Sequence, residues 1–237
     1  MRPTALVTGA GRGIGAAVVR ALAQDAWVAA LDKAFPEPGG PAARELTVDV
    51  TDPTAVAGAI EQIEGERGEL DWVVCAAGVI RDRVSWKMSD EDWAQVIAVN
   101  LTGTFNTARA AAPLLRRSPR GRLVFISSIN GIRGRFGQAN YAASKAGLIG
   151  LARSLALELA RDGATVNVIA PGFIDTPMTQ SLPADVVARA VARTPLGRLG
   201  SPDDIAAAAR FLCSDAASFM TGAVLPIDGG QLLGDTA

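Results

Sequence analysis

The chain has 237 residues, a net charge of −1 and 49% hydrophobic residues, which is ample for a core and leaves no excess of either charge. That balance gives no electrostatic basis for binding nucleic acid or an anionic membrane surface. With no histidine and only two cysteines, Cys75 and Cys213, it excludes histidine-based catalysis, His-ligated zinc and closed thiolate metal sites, so a metal-free mechanism is expected.

Residues 4–8 (TALVT) read as a buried strand breaking into Gly9-Ala10-Gly11-Arg12-Gly13-Ile14-Gly15, followed by helical AAVVRALAQ. Strand, glycine turn and helix in this order suit a dinucleotide. Glycines let the backbone approach a pyrophosphate, and the helix start supplies N–H groups and a positive dipole end. The second strand, WVAALD, ends in Asp32, 19 positions after Gly13. A carboxylate there can accept hydrogen bonds from an adenine ribose and repels a 2′-phosphate.

Between Asp32 and a third strand, ELTVDV, the segment FPEPGGPAAR holds too much proline and glycine for a crossover helix. Residues 54–64 read as a helix, and DWVVCAAGV as a fourth strand with its turn. Ser89 caps a helix with three acids in its first turn, running on through VIAVNLTGTFNTARAAAPLL. Asn100 sits inside that apolar helix, against its preference for caps.

RLVFIS is a fifth strand delivering Ser128 at its carboxyl end, where open α/β sheets bind ligands. TVNVIAPG is a sixth. TPMTQSLPADVVARAVARTPLGR reads as a pair of lid helices whose Met178, Leu182, Val186 and Val187 suit a partly apolar ligand. A helix over 202–212 and a seventh strand in GAVLPIDGG complete the chain. The expectation is one doubly wound α/β domain over residues 1–237, with a seven-stranded parallel sheet. No apolar run reaches the roughly 18 residues needed to cross a bilayer, and no leader precedes the first strand, so a cytoplasmic location is expected.

The chemistry concentrates between Ser128 and Lys145. Tyr141 and Lys145 are one helical turn apart and share a face. A lysine so placed favours the phenolate, lowering a pKa of about 10. A phenol tuned this way exchanges a proton with an alcohol or carbonyl oxygen, and Ser128 can hydrogen-bond the same oxygen. The YxxxK spacing alone fits an incidental tyrosine and a solvated lysine equally well; the flanking sequence decides. Beyond it, Leu148, Leu151, Leu155 and Leu159 form a stripe on a helix whose other faces are largely small or apolar, which calls for cover by the sheet and by a second subunit.

Taken together, TGAGRGIG, the Ser128/Tyr141/Lys145 spacing, VNLTG and the PG motif at Pro171-Gly172 resemble the short-chain dehydrogenase/reductase family over nearly the whole chain. The resemblance implies a Rossmann-type fold and hydride transfer between a nicotinamide cofactor and a secondary alcohol or ketone. It implies Tyr141 as general acid/base, Lys145 holding the nicotinamide ribose, Ser128 orienting the reacting oxygen and Asn100 supporting the proton path through a water. Gly9, Arg12, Gly13, Ile14, Gly15, Asp32, Asp49, Val50, Ala76, Gly78, Tyr141, Lys145, Pro171, Gly172, Ile174 and Thr176 are the implied cofactor contacts. A basic residue such as Arg12 accompanies NADP in the family, but Asp32 weighs more and favours NAD, with NADP the alternative. Two departures stand out: Cys75 replaces the asparagine of an Asn-Ala-Ala-Gly motif, and the loop after Asp32 is trimmed.

The resemblance also implies a homotetramer. Around the active site it is strongest to reductases of 3-oxoacyl thioesters, carried on acyl carrier protein or coenzyme A. The run Arg116, Arg117, Arg120 and Arg122 could steer an acidic carrier, though a solvated charge run explains it equally well. Asp32 and the trimmed loop look more like NAD-dependent dehydrogenases of cyclic alcohols or diols, such as 2,3-dihydro-2,3-dihydroxybenzoate. A non-catalytic dinucleotide-binding protein is the remote alternative.

Overall fold

Short aliphatic runs, each stopped by a glycine, acidic or polar turn, form seven strands in the computed structural model, which describes residues 2–36, 40–180 and 183–234. They are β1 (Thr4–Thr8), β2 (Trp27–Asp32), β3 (Arg44–Thr47), β4 (Trp72–Cys75), β5 (Arg122–Ile126), β6 (Thr165–Pro171) and β7 (Val224–Ile227). All pair in parallel, in the order β3-β2-β1-β4-β5-β6-β7. Strand order reverses between β1 and β4, which opens a crevice at their carboxyl ends, the place where such sheets bind ligands. Near-continuous burial of β1, β2, β4, β5 and β6 requires helices on both faces.

On one face lie α1 (Gly13–Leu22) and α9 (Pro202–Cys213), packing Val18, Leu22, Ile205 and Leu212 against Val7, Val74 and Ile169. The other face carries α2 (Pro53–Arg67), α4 (Gly103–Arg117) and α6 (Ala139–Leu159), whose Ile60, Leu115 and Leu148 pack against Leu6, Val73 and Phe125. Local chemistry sets the helix ends. Asp52 accepts from the amides of Thr54 and Ala55, Pro53 follows at the first helical position, and Gly68 closes α2 at φ 74°. Ser201 and Asp204 form a capping box at the start of α9.

Four expectations need adjustment. The third strand stops at Thr47, before Asp49-Val50; Asp49 instead opens a turn, its carboxylate accepting from Thr51 N at 3.0 Å. The second helix extends past Glu64 to Arg67, because glycine first appears in a left-handed position at Gly68. The Ser89-capped helix is not uniformly α. After α3 (Asp90–Ile97) it widens into a π turn, Ala98–Thr102, before continuing as α4. The helix holding Tyr141, expected from that residue to about Arg161, begins at Ala139 and ends in a 3₁₀ turn at Ala160–Asp162.

Among the described residues no helix joins β2 to β3, as the proline content predicts. Two short helices, α7 (Pro177–Gln180) and α8 (Ala184–Ala192), follow β6 where the lid pair is expected. Leu182 falls outside the described residues. α6 buries Leu148, Ala152, Ala156 and Leu159 against the sheet, whereas Leu157 is 81% exposed and Leu151 and Leu155 are half-buried. No described helix is long and apolar enough to cross a membrane.

Candidate active site

The amino-terminal half of the crevice is shaped by main chain. Gly9 (φ 67°) packs so closely that a methyl there would lie 2.5 Å from the amide nitrogen of Ala77. A methyl at Gly15 would lie 2.0 Å from the carbonyl oxygen of Gly9. α1 begins at Gly13 with no side chain capping its first amides, so those donors and the helix dipole are directed to the loop, and Ile14 packs beneath it. An open, uncapped glycine turn of this kind fits a pyrophosphate.

Asp32 binds the loop from the next strand. One carboxylate oxygen accepts from Gly11 N at 2.9 Å, the other from Lys33 N at 2.7 Å. Lys33 in turn pairs with Asp49 at 2.9 Å. Partial burial works to raise the Asp49 pKa, but the Thr51 amide and Lys33 outweigh it and hold the carboxyl below its usual value. Val50 is buried under α4; its carbonyl accepts from Asn106 Nδ2 at 3.1 Å. Ala76 donates its amide to Thr8 O, and Gly78 lies beside Asn100 Oδ1 and Lys145 Nζ. Across the crevice, Pro171 O accepts from Ile129 N, Gly172 abuts Asp228, Ile174 is buried and Thr176 packs near Gly13. Most of the expected cofactor contacts therefore gather around the carboxyl ends of the strands.

Asn100, Ser128, Tyr141 and Lys145 come together at the adjacent end of β5. The π turn holds Asn100 fully buried, where its amide bridges two elements. Oδ1 accepts from Val79 N at 2.8 Å, and Nδ2 donates to Val79 O and to Ser144 Oγ, both at 3.1 Å. Ser144 Oγ donates to Tyr141 O. Lys145 Nζ donates to Ile126 O at 2.8 Å, and Ser127 Oγ to Lys145 O at 2.7 Å, fastening α6 to the end of β5.

The electrostatics of the pair differ from the simple expectation. Burial pushes the Tyr141 phenol up to about 12; a hydrogen bond with Ser128 and the charge of Arg135 pull it down, while Asp82 pushes it up. Lys145, its ammonium 5.7 Å from the Tyr141 ring centroid, is itself lowered to about 8 by burial. Desolvation, and not a neighbouring charge, sets the direction of the phenol's shift in this state. Cys75 is buried at the end of β4, and burial pushes its thiol up to about 12 against the pull of Lys145 and Thr8. That keeps it a packed thiol and not a nucleophile near neutral pH.

Sequence reasoning missed several polar residues that frame this centre. Asn130 N donates to Ser128 Oγ at 3.1 Å, and Asn130 Nδ2 to Gln138 Oε1 at 3.0 Å. Gln138 Nε2 reaches both carboxylate oxygens of Asp82. The available signal was the amide residues Asn130, Gln138 and Asn140 inside the glycine-rich run between Ser128 and Tyr141. The basic run also reads differently in three dimensions. Arg116 pairs with Asp162, Arg117 with Glu64, Arg120 with Asp71, and the nearly buried Arg122 with Asp215. It is a neutralised set and not an open positive surface. A cavity of about 510 Å³ lined by Pro3, Asp25, Trp72 and Arg210 shares no residue with the crevice and lies at the amino-terminal ends of the central strands β1 and β4.

A doubly wound sheet with a glycine turn at its switch point, and a serine, a tyrosine and a lysine at the neighbouring strand end, defines an NAD(P)-dependent oxidoreductase of CH–OH groups. A family model described as "Enoyl-(Acyl carrier protein) reductase" matches residues 9–231. The chain is 43% identical, over 97% of both chains, to 3-oxoacyl-[acyl-carrier-protein] reductase FabG of Escherichia coli. It is also 43% identical to MabA of Mycobacterium tuberculosis, of the same name, over 97% of this chain and 92% of that one. A solved structure of aldohexose dehydrogenase from Thermoplasma acidophilum, in ligand-free form, superposes with a TM-score of 0.93 at 31% identity, covering 98% of this chain and 94% of that one. The chain belongs to the short-chain dehydrogenase/reductase family.

Proposed function

We propose that the chain is a single catalytic unit reducing the ketone of a 3-oxoacyl thioester, carried on an acyl carrier protein or coenzyme A, to a secondary alcohol. The observation that carries the reading is the gathering of Asn100, Ser128, Tyr141 and Lys145 at the end of β5, beside the glycine turn. A protonated phenol there can donate to a ketone oxygen. Relatives named for this reaction, matching end to end, support the substrate class.

The bound nicotinamide supplies the hydride. In the reducing direction Tyr141 Oη gives its proton to the substrate oxygen, while Ser128 Oγ donates a hydrogen bond to that oxygen and fixes its place. Lys145 holds the cofactor ribose and keeps a positive charge beside the phenol as its proton leaves. Asn100 keeps the turn after β4 against α6, so that Gly78 stays next to Lys145. The glycine turn, Asp32, Asp49, Val50, Ala76, Gly78, Pro171, Gly172, Ile174 and Thr176 hold the cofactor, with Arg12 at its phosphates.

NAD is the proposed cofactor, because the Asp32 carboxylate stands where a 2′-phosphate would be repelled. The test is consumption of NADH and NADPH, measured separately, with acetoacetyl-CoA. Brisk reduction favouring NADH is expected; a tenfold advantage for NADPH overturns the cofactor assignment. A second reading, oxidation of a cyclic or polyhydroxy alcohol, is favoured by Asp32, the trimmed loop and the aldohexose dehydrogenase likeness. Negligible acetoacetyl-CoA reduction alongside rapid oxidation of such alcohols would replace the first reading with the second. Binding without turnover on either panel would leave a non-catalytic dinucleotide-binding role.

A homotetramer working in the cytoplasm is part of the same proposal. The outward Leu157 and half-buried Leu151 and Leu155 of α6 support the assembly, and two buried free thiols agree with a reducing compartment. Sedimentation showing a monomer at micromolar concentration would contradict the assembly.

A further inference from the structure

We propose that Asp82 and Gln138 are positioning residues for the reaction. A hydrogen-bond chain from Asp82 through Gln138 and Asn130 sets the place of Ser128 Oγ and leaves its proton for the substrate oxygen. This deepens the role given above to Ser128 and rests on it.

Donor and acceptor inventories give the chain one direction. The Asp82 carboxylate only accepts, and Gln138 Nε2 donates to its two oxygens at 3.1 and 2.9 Å. Gln138 therefore turns its Oε1 to Asn130, whose Nδ2 donates to it at 3.0 Å. Asn130 opens α5 (Asn130–Arg133), and its main-chain N–H donates to Ser128 Oγ at 3.1 Å. A serine hydroxyl has one proton and two lone pairs. With one lone pair taken from the α5 side, the proton is left for the open side, where Ser128 meets the Tyr141 phenol.

A serine accepting from the amide two residues on is a common local turn. Here the donor residue is itself held from beyond. Asn130 and Gln138 are both buried, so each must spend its amide on a partner. Gln138 stands at the N-cap of α6, yet its side chain caps nothing and reaches Asp82 and Asn130 instead. Asp82 lies between Arg81 and Arg83 in sequence, yet among the described residues it forms an ion pair with neither. Arg83 N donates to Gly137 O at 2.8 Å, and Asn140 Nδ2 to Arg81 O at 3.0 Å. Residues 81–83 and 137–140 are thus strapped together on both sides of the Asp82–Gln138 contact.

The test is a set of exchanges read as kcat and KM for acetoacetyl-CoA, with cofactor dissociation and melting temperature alongside. In Gln138→Glu the donor is lost and two carboxylates face each other. Its kcat should fall about tenfold, with KM and cofactor binding within about threefold. Asp82→Asn alone should cost about twofold or less, since its amide oxygen can still accept from Gln138. Added to Gln138→Glu, the same exchange returns a donor to the contact and should bring kcat back to within about threefold of the unaltered protein. In a Ser128→Ala background, Gln138→Glu should change kcat by less than about twofold, because the chain acts only through that hydroxyl. Gln138→Met brings no charge and should show the same loss and the same dependence on Ser128, whether or not Gln138→Glu folds. A further tenfold loss in the Ser128→Ala background overturns the proposal. So does unchanged kcat in both Gln138 variants, or a double variant no faster than Gln138→Glu alone. The set is also read on oxidation of a cyclic alcohol. A failed cycle on a substrate that is turned over sinks the chain alone. An intact cycle on the alcohol without acetoacetyl-CoA reduction sinks the thioester reading alone, and turnover of neither sinks both.

Discussion

On the cofactor side of the crevice the working surface is main chain: the turn from Gly9 to Gly15, the uncapped start of α1, and the strand-end turn at Ala76-Ala77. On the substrate side it is side chains: Asn130, Arg133, Gln138 and Gln231, joined by hydrogen bonds across four segments. Main chain offers the same donors whatever the sequence, provided nothing projects into it, so that side is intolerant of a single methyl group. The other side gains its specificity from side-chain identity, so it can change ligand without changing fold.

Tyr141 stands at the seam and should give the largest effect. Tyr141→Phe is expected to lower turnover by about 10²–10⁴ while leaving the cofactor dissociation constant within about threefold. A variant keeping a third of the activity would show that the proton comes from elsewhere. Gly15→Ala probes the main-chain side. With its new methyl against Gly9 O, we expect at least about tenfold weaker cofactor binding and about 1–3 kcal/mol lower stability. Unchanged binding would mean that the turn yields more than its packing suggests.

Tyr141 is the chain's one tyrosine, so phenolate absorbance reports it alone. In cofactor-free protein the native fold should keep the phenol protonated to about pH 11. A phenol raised from 10 to about 12 binds its proton more tightly when folded, so its contribution is whole below pH 10 and is lost as pH climbs towards 12. Native protein half-ionised below pH 10 would restore the simple picture of a lysine-lowered phenol.

Two smaller effects lie away from the crevice and serve as its contrast. Asp204 is lowered to about 2, chiefly by its hydrogen bond to Arg198 and then by the Ser201 amide. Its stabilisation is present above about pH 4 and lost as pH falls towards 2. After allowance for solvent screening it amounts to about 1 kcal/mol, which Asp204→Asn should remove from acid melts. Arg116→Ala should cost less than about 1 kcal/mol and leave thioester kcat/KM within twofold, since its charge is already balanced by Asp162. A tenfold loss of kcat/KM would return the 116–122 run to the substrate's path.

Much of this was legible in the chain. Strand runs, glycine turn and caps are local signals, and the Ser128/Tyr141/Lys145 spacing fixes its own geometry once α6 forms. What escaped was non-local. Four arginines within seven residues look like a basic patch, but Asp162, Glu64, Asp71 and Asp215 neutralise them from elsewhere in the chain. Conversely, Gln231 lies 98 positions beyond Arg133, and only folding brings its carbonyl to that guanidinium. The phenol pKa escaped for the same reason: spacing reveals a neighbouring charge but not the desolvation that outweighs it.

The π turn at Ala98–Thr102 carries a further consequence, for insertions and deletions. It houses one residue more than regular winding needs, and each helical residue advances the azimuth by about 100°. Losing a single residue there would let the helix rewind as regular α, with α4 keeping its azimuth and Ala108, Ala111 and Leu115 still facing the sheet. Only the local turn would change, and with it the direction in which Asn100 presents its amide to Val79 and Ser144. The extra residue serves the active centre and not the core, so its deletion should spare folding and disable the centre.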